Sequence, residues 1–186
     1  MPQSASAFAF TTAILFAGVC WFVGVAEAIG IWRFWAWAYR AGPRIVTRTV
    51  PRPSSAFQSG VVLGSSDVKA KGVSSQQILF RAPMPPFTFR ISTPFPILGT
   101  ATLEMDGLRV IGRIPIGPTG FFACWLLAWT AGGVTLGDSK PLAGLGLVAL
   151  GWAFAAGLGA FSISLELGRF RRAQDALLAQ LAGTAA

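Results

Sequence analysis

The chain has 186 residues, of which 53% are hydrophobic and only 12% charged, with a mean hydropathy of +0.60. Soluble domains carry about 25% charged residues, so this composition excludes an ordinary soluble globule and points to an integral membrane protein. The absence of histidine removes His-based triads, general bases and metal sites. The net charge of +8 comes from basic residues that cluster beside apolar runs, where positive-inside bias explains them more simply than nucleic-acid binding. No nucleic-acid partner is expected, and the single tyrosine leaves little for base stacking.

The N-terminus lacks the basic region of a cleaved signal, and its apolar run ends in Trp and Arg rather than small residues. It predicts a retained first transmembrane helix within 5–40, with an apolar core over 8–32 that carries one charge, Glu27. Trp32, Arg33, Trp35, Trp37, Tyr39 and Arg40 form an aromatic and basic collar of the kind that sits at headgroup level. The helix is expected to continue through this collar until Gly42-Pro43 stops it. Intramembrane acids are costly and often functional, so Glu27 has two readings. It snorkels, hydrogen-bonds or stays protonated, or else it meets a partner's basic group, a cation or a relayed proton.

Small residues recur four apart at Cys20, Gly24 and Ala28, at Cys124, Ala128 and Gly132, and at Gly151, Ala155 and Gly159. That spacing lines one helix face and lets backbones approach. The plain reading is packing among the chain's own helices. The sharper one is a partner subunit, with Glu27, Gly24, Ala28, Gly151, Ala155 and Gly159 as the contacts. Cys20 and Cys124 read as small apolar fillers, not a disulfide framework.

Residues 41–116 are the water-facing stretch, expected to form a small β-rich domain. It opens with an extended basic link over 44–53, where Pro51 and Pro53 oppose helix. Arg44, Arg48 and Arg52 there, with Arg33, Arg40, Arg169, Arg171 and Arg172, are candidate contacts for anionic lipid headgroups, against the alternative of ordinary positive-inside charge. Strands are predicted over 60–63, 67–71, 76–81, 87–92, 97–105 and 108–114. Asp106-Gly107 is a favoured two-residue hairpin turn. It would set Met105 opposite Leu108 and Leu103 opposite Val110 on one face, with Glu104 meeting Arg109 on the other. About 60 residues is marginal for an independent core, so the domain is expected to lean on the membrane, the helix ends or another protein.

Chemistry finds little purchase. Ser65, Ser66, Lys69 and Lys71 supply the raw material of a Ser/Lys nucleophile pair, but Ser/Lys-rich turns are commonplace. Asp106 is explained by its turn and Glu104 by Arg109, which leaves no carboxylate cluster for a metal. The glycines match no phosphate loop.

Two further spans are predicted over 117–136 and 142–166, joined by the polar link 137–141. The second is long enough for a bilayer core, and the first reaches that length if Pro118-Thr119-Gly120 forms its entry turn. Trp125 and Trp129 share a face of the first, and Glu166 and Arg169 are spaced for an i,i+3 pair at the end of the second. The tail over 167–186 is amphipathic, with Phe170, Ala173, Leu177, Leu178 and Leu181 on its apolar side and Gly168 as a bend. It either lies on the membrane or extends the third helix.

The fold class expected is therefore membrane α-helical, with three transmembrane helices and a small β-rich cytoplasmic insertion between helices 1 and 2. Nine Lys/Arg lie in 44–113 and three more in the tail, against Lys140 alone in the 137–141 link. This bias puts the insertion and C-terminus in the cytoplasm and the N-terminus outside. The composition suits a bacterial inner-membrane protein. The function expected is non-catalytic: an accessory or scaffolding subunit of a larger complex, with membrane lipids and other integral subunits as partners. The alternatives are a free-standing module whose β-rich domain binds anionic headgroups or a cytoplasmic protein, and a transporter component using Glu27. No cofactor is predicted; a bound lipid would fit between the helices.

Overall fold

The computed structural model describes residues 3–53, 57–83 and 95–183. It divides into two compact units, Met1–Ala26 with Ile116–Ile163, and Glu27–Pro115 with Ser164–Ala186. The strand expected over 87–92 lies outside the described residues.

The first unit is helical. It contains most of α1 (Gln3–Trp32), all of α3 (Ile116–Gly137) and the first part of α4 (Pro141–Gly183). Three helices are long and apolar enough to cross a membrane, over Phe8–Trp32, Ile116–Gly137 and Pro141–Ala182. At 1.5 Å per residue even the shortest reaches about 33 Å, against a hydrocarbon core of about 30 Å. Pro118-Thr119-Gly120 lies inside α3 instead of forming an entry turn, because Pro is tolerated in a helix's first turn.

Within this unit, α3 and α4 approach through glycine. A Cβ on Gly144 would meet the Gly137 backbone at 2.5 Å, and one on Gly133 would run into Val148. The Trp129 ring covers Gly151, and its Nε1 donates to the Leu147 carbonyl at 2.6 Å. Trp152 Nε1 donates to Thr130 Oγ1 at 3.1 Å. Each indole therefore satisfies its N–H within the chain, as an apolar setting demands. On α1, Gly24 lies against Pro118 and Cys20 against Gly120.

The second unit is a six-stranded antiparallel sheet, ordered β1-β6-β5-β4-β3-β2. Its strands are β1 (Arg44–Val50), β2 (Val62–Gly64), β3 (Lys69–Ser74), β4 (Gln77–Arg81), β5 (Leu98–Glu104) and β6 (Gly107–Arg113). The stretch read as an extended basic link is thus mostly a strand, β1, at the sheet's edge beside β6. Pro51 and Pro53 follow it, where the loss of a backbone donor costs no ladder bond.

The β5–β6 register also differs from expectation. Leu103 pairs with Leu108, Ala101 with Val110 and Glu104 with Gly107. The turn is Met105-Asp106, and Gly107 is the first strand residue, with φ of 148°. A Cβ there would meet the Val50 carbonyl oxygen at 2.5 Å, so the neighbouring β1 selects glycine at this position. The slip is two residues, which leaves the strand side chains on their expected faces but moves Met105 out of the strand into the exposed turn. Glu104 and Arg109 still pair, diagonally, at 3.2 Å.

One sheet face carries Ala70, Ile78, Phe80, Ala101, Leu108 and Val110 and packs on Phe170, Ala173, Leu177 and Leu181 of α4. The tail stripe read from the sequence therefore covers the sheet rather than a membrane surface. Gly168, expected as a bend, lies inside the continuous α4. At roughly 1.5–3 kcal/mol per buried large side chain, these contacts answer the marginal size of the β segment. The other face buries Leu79 and Leu98 against Ile31, Ala38 and Tyr39. The last two belong to α2 (Ala36–Arg40), a short helix separated from α1.

Candidate functional site

The first helix does not run through its collar, and the break builds a site. The Phe34 N–H bonds to the Ile31 carbonyl at 3.3 Å and the Trp35 N–H to the Gly30 carbonyl at 2.8 Å. This pair of bonds is a Schellman ending, whose left-handed residue is usually glycine. Here Phe34 occupies it at φ of 55°, a conformation costing a side-chain-bearing residue about 1–2 kcal/mol. The turn swings the Phe34 ring onto Tyr39, stacked at 5.7 Å, and the Tyr39 hydroxyl donates to the Ile31 carbonyl at 3.2 Å.

Beneath these rings lies Arg81, the last residue of β4, only 4% exposed. Its guanidinium carbon is 5.3 Å from the Phe34 ring centre and 5.9 Å from that of Trp32. Burial pushes the Tyr39 phenol well above its ordinary range, and the nearby Arg81 cation only partly opposes this. Cation–π contact is worth about 2 kcal/mol when desolvated but fills no hydrogen-bond positions. Arg81 Nε and Nη1 are buried and have no hydrogen-bond partner among the described residues. The guanidinium also hydrogen-bonds the Tyr39 hydroxyl, and each donor left buried without a partner costs about 1–3 kcal/mol.

The strand register extends this site. Lys69 pairs with Arg81, Arg81 with Leu98, Leu98 with Arg113, and Arg113 with Arg44. Directly opposed residues share a face, so one row across five strands reads Lys, Arg, Leu, Arg, Arg. Like charges placed opposite one another repel. Arg113 Nη1 finds the Gly42 carbonyl at 3.0 Å, and burial, together with the Arg44 charge, lowers its pKa. The row lies at the sheet end from which β6 leads through Pro115 into α3.

The other candidate residues are placed as follows. Glu27 is fully buried and makes interactions within the chain. Gly24 packs on Pro118, and Gly151 under Trp129. Ala155 is buried, Ala28 is exposed, and a Cβ on Gly159 would meet open space. Among the basic candidates, Arg33 stacks over Trp35 at 5.9 Å and Arg40 donates to Gln77. Arg48 and Arg52 are exposed on and beyond β1. Arg169 pairs with Glu166 at 2.7 Å, as the spacing indicated, while Arg171 and Arg172 face outward.

Ser65 is occupied in turn formation, accepting from the N–H groups of Asp67 and Val68 at 3.3 Å, and Ser66 donates to Asp67. Among the described residues no group of three acidic or cysteine side chains is placed to hold a metal ion. Sequence reading missed Arg81. Its signal was the unbroken Ile78-Leu79-Phe80 run, which lacks alternation and so marks a strand covered on both faces. An arginine ending such a strand is buried with it.

Comparison with known proteins adds no assignment: no family model, curated protein or solved structure matches the chain.

Proposed function

We propose that this chain is a non-catalytic, multi-pass protein of the bacterial inner membrane that serves as an accessory or scaffolding subunit of a larger membrane complex. The N-terminus and the 137–141 link would lie outside, with the sheet unit and C-terminus in the cytoplasm. The observation that carries this reading is the surface left on the apolar helices after they have packed. Only 22%, 11% and 17% of the most apolar stretch of the three candidate spans is buried within the chain. Gly18, Gly132, Gly146, Gly157 and Gly159 have nothing within 4 Å of where a Cβ would stand. Such glycine-lined faces suit a neighbouring transmembrane helix. Ser65 and Ser66 are engaged in a turn with Asp67, and Glu104 and Glu166 in ion pairs, which favours a structural role.

The test is purification of the tagged protein from its native membrane in mild detergent, followed by native mass spectrometry. A stoichiometric set of co-purifying membrane polypeptides is expected. A stable monomer or homo-oligomer without partners would overturn the subunit reading.

A second reading is favoured by the sheet register. Lys69, Lys71, Arg81, Arg109, Arg113 and Arg44 share one face, and Glu104 is the one acidic strand residue there. A face so charged suits anionic headgroups. Lipid binding that weakens with salt would support it.

A further inference from the structure

We propose that Arg81 is the centre of a built phosphate site for the headgroup of an anionic phospholipid, roofed by Trp32 and Phe34 and flanked by the Lys69, Arg113 and Arg44 row. The inference rests on the membrane reading above, though not on the subunit reading.

Three independent features point the same way. The first is the unfilled bonding capacity of Arg81, whose buried Nε and Nη1 lack partners among the described residues. Aromatic faces stabilise its charge but accept none of its protons. Phosphate oxygens are the acceptors that guanidinium donors bind best. The second is the row itself. At a strand spacing of about 4.8 Å, Lys69 is one strand from Arg81 and Arg113 two strands away, roughly 10 Å. No acid stands in that row, so an incoming anion would relieve repulsion the chain does not relieve itself. The third is the backbone. Phe34 is held in the left-handed region, and such strain gathers where a side chain must be aimed; here it aims the ring at the guanidinium.

The source of the phosphate follows from chain position. Trp32 is the last residue of both α1 and its candidate span, and its ring is half exposed. Arg33, Trp35 and Trp37 follow immediately and are exposed. Tryptophan and arginine at the end of an apolar span lie at headgroup depth. A movement of the Trp32 ring would open Arg81 to the layer where lipid phosphates are concentrated.

The experiment reconstitutes the full chain into vesicles of phosphatidylcholine alone or mixed with phosphatidylglycerol. The protein is then re-extracted in mild detergent, and retained lipid is read by native mass spectrometry. Wild type is expected to keep one phosphatidylglycerol per chain, preferred over phosphatidylcholine by about tenfold, a difference of 1.4 kcal/mol. Arg81→Met should lose that preference, whereas Lys140→Gln, which removes one positive charge from the link between α3 and α4, should keep it. Equal retention by Arg81→Met and wild type overturns the proposal, as does a wild type without preference. Displacement of the lipid by inorganic phosphate would reassign the site to a free anion and overturn the lipid source.

If Arg81→Met does not fold, the arginine Nε–H NMR spectrum of wild type decides. A protected guanidinium signal that shifts with phosphatidylglycerol but not phosphatidylcholine supports the site, and one that ignores both overturns it. Alkaline extraction of the same vesicles separates the two layers of argument. Protein that stays with the bilayer without lipid preference refutes only the site, whereas protein released by alkali refutes the membrane reading.

Discussion

Tyr39 is the chain's single tyrosine, and its hydroxyl is buried against the Ile31 carbonyl beneath a stacked ring. Burial raises its pKa above the ordinary 10.0. The folded chain therefore holds the phenolic proton at pH values where the unfolded chain releases it. Stability from this group is complete below 10.0 and falls as pH rises beyond that value. Tyrosinate absorbance should thus stay low in the folded protein past the point where the denatured chain titrates. Tyr39→Phe should flatten the alkaline fall in stability while costing about 1 kcal/mol for the lost hydrogen bond. At this scale the sequence was legible wherever partners lie close along the chain. Glu166–Arg169 was read from spacing and forms; Glu104–Arg109 was read from a hairpin register that is two residues off, and the pair forms diagonally instead. Arg81 was not legible, because its row joins positions 44, 69, 98 and 113, and only the strand register brings these together.

Among the elements, the α4 tail was half legible. Its periodicity named Phe170, Ala173, Leu177, Leu178 and Leu181 as one stripe, and the structure buries all but Leu178, which is partly buried. Periodicity reports that a face is covered but not by what: of the two readings, extension of the third helix holds, and the sheet as the covering surface was not foreseen. The packing decides: Phe170 stacks on Phe80 at 5.4 Å and closes on Gly112. Phe170→Ala should cost about 3–5 kcal/mol, read by denaturation in detergent, whereas the exposed Arg172→Ala should stay within about 0.5 kcal/mol. The hairpin shows a complementary limit. Hydrophobic alternation fixed the faces of β5 and β6, but a slip of two residues preserves alternation. The choice of turn fell to the contact between Gly107 and Val50 on a third strand. The collar misled for a related reason. Apolar and aromatic residues continued past Trp32, and nothing local announced a Schellman ending on a phenylalanine.

At the scale of the whole molecule, the three apolar helices and the sheet inserted after the first were legible because length and hydropathy are properties of composition. The packing of α1 in the helical unit was not, yet the two native cysteines offer a direct check. Cys20 lies beside Cys124 and against Gly120. A short thiol-bridging reagent should join them within a single chain, giving a faster-migrating monomer that Cys20→Ser does not produce. The central claim is that α3 crosses the membrane, so that the sheet unit before it and the 137–141 link after it face opposite compartments. The measurement that tests it most directly is labelling of single cysteines by a membrane-impermeant maleimide in intact cells. These would be introduced as Asp106→Cys and Ser139→Cys after both native cysteines are replaced by serine; both positions are exposed. Ser139→Cys should label from outside, and Asp106→Cys only after permeabilisation. Labelling of both from the same side would contradict it.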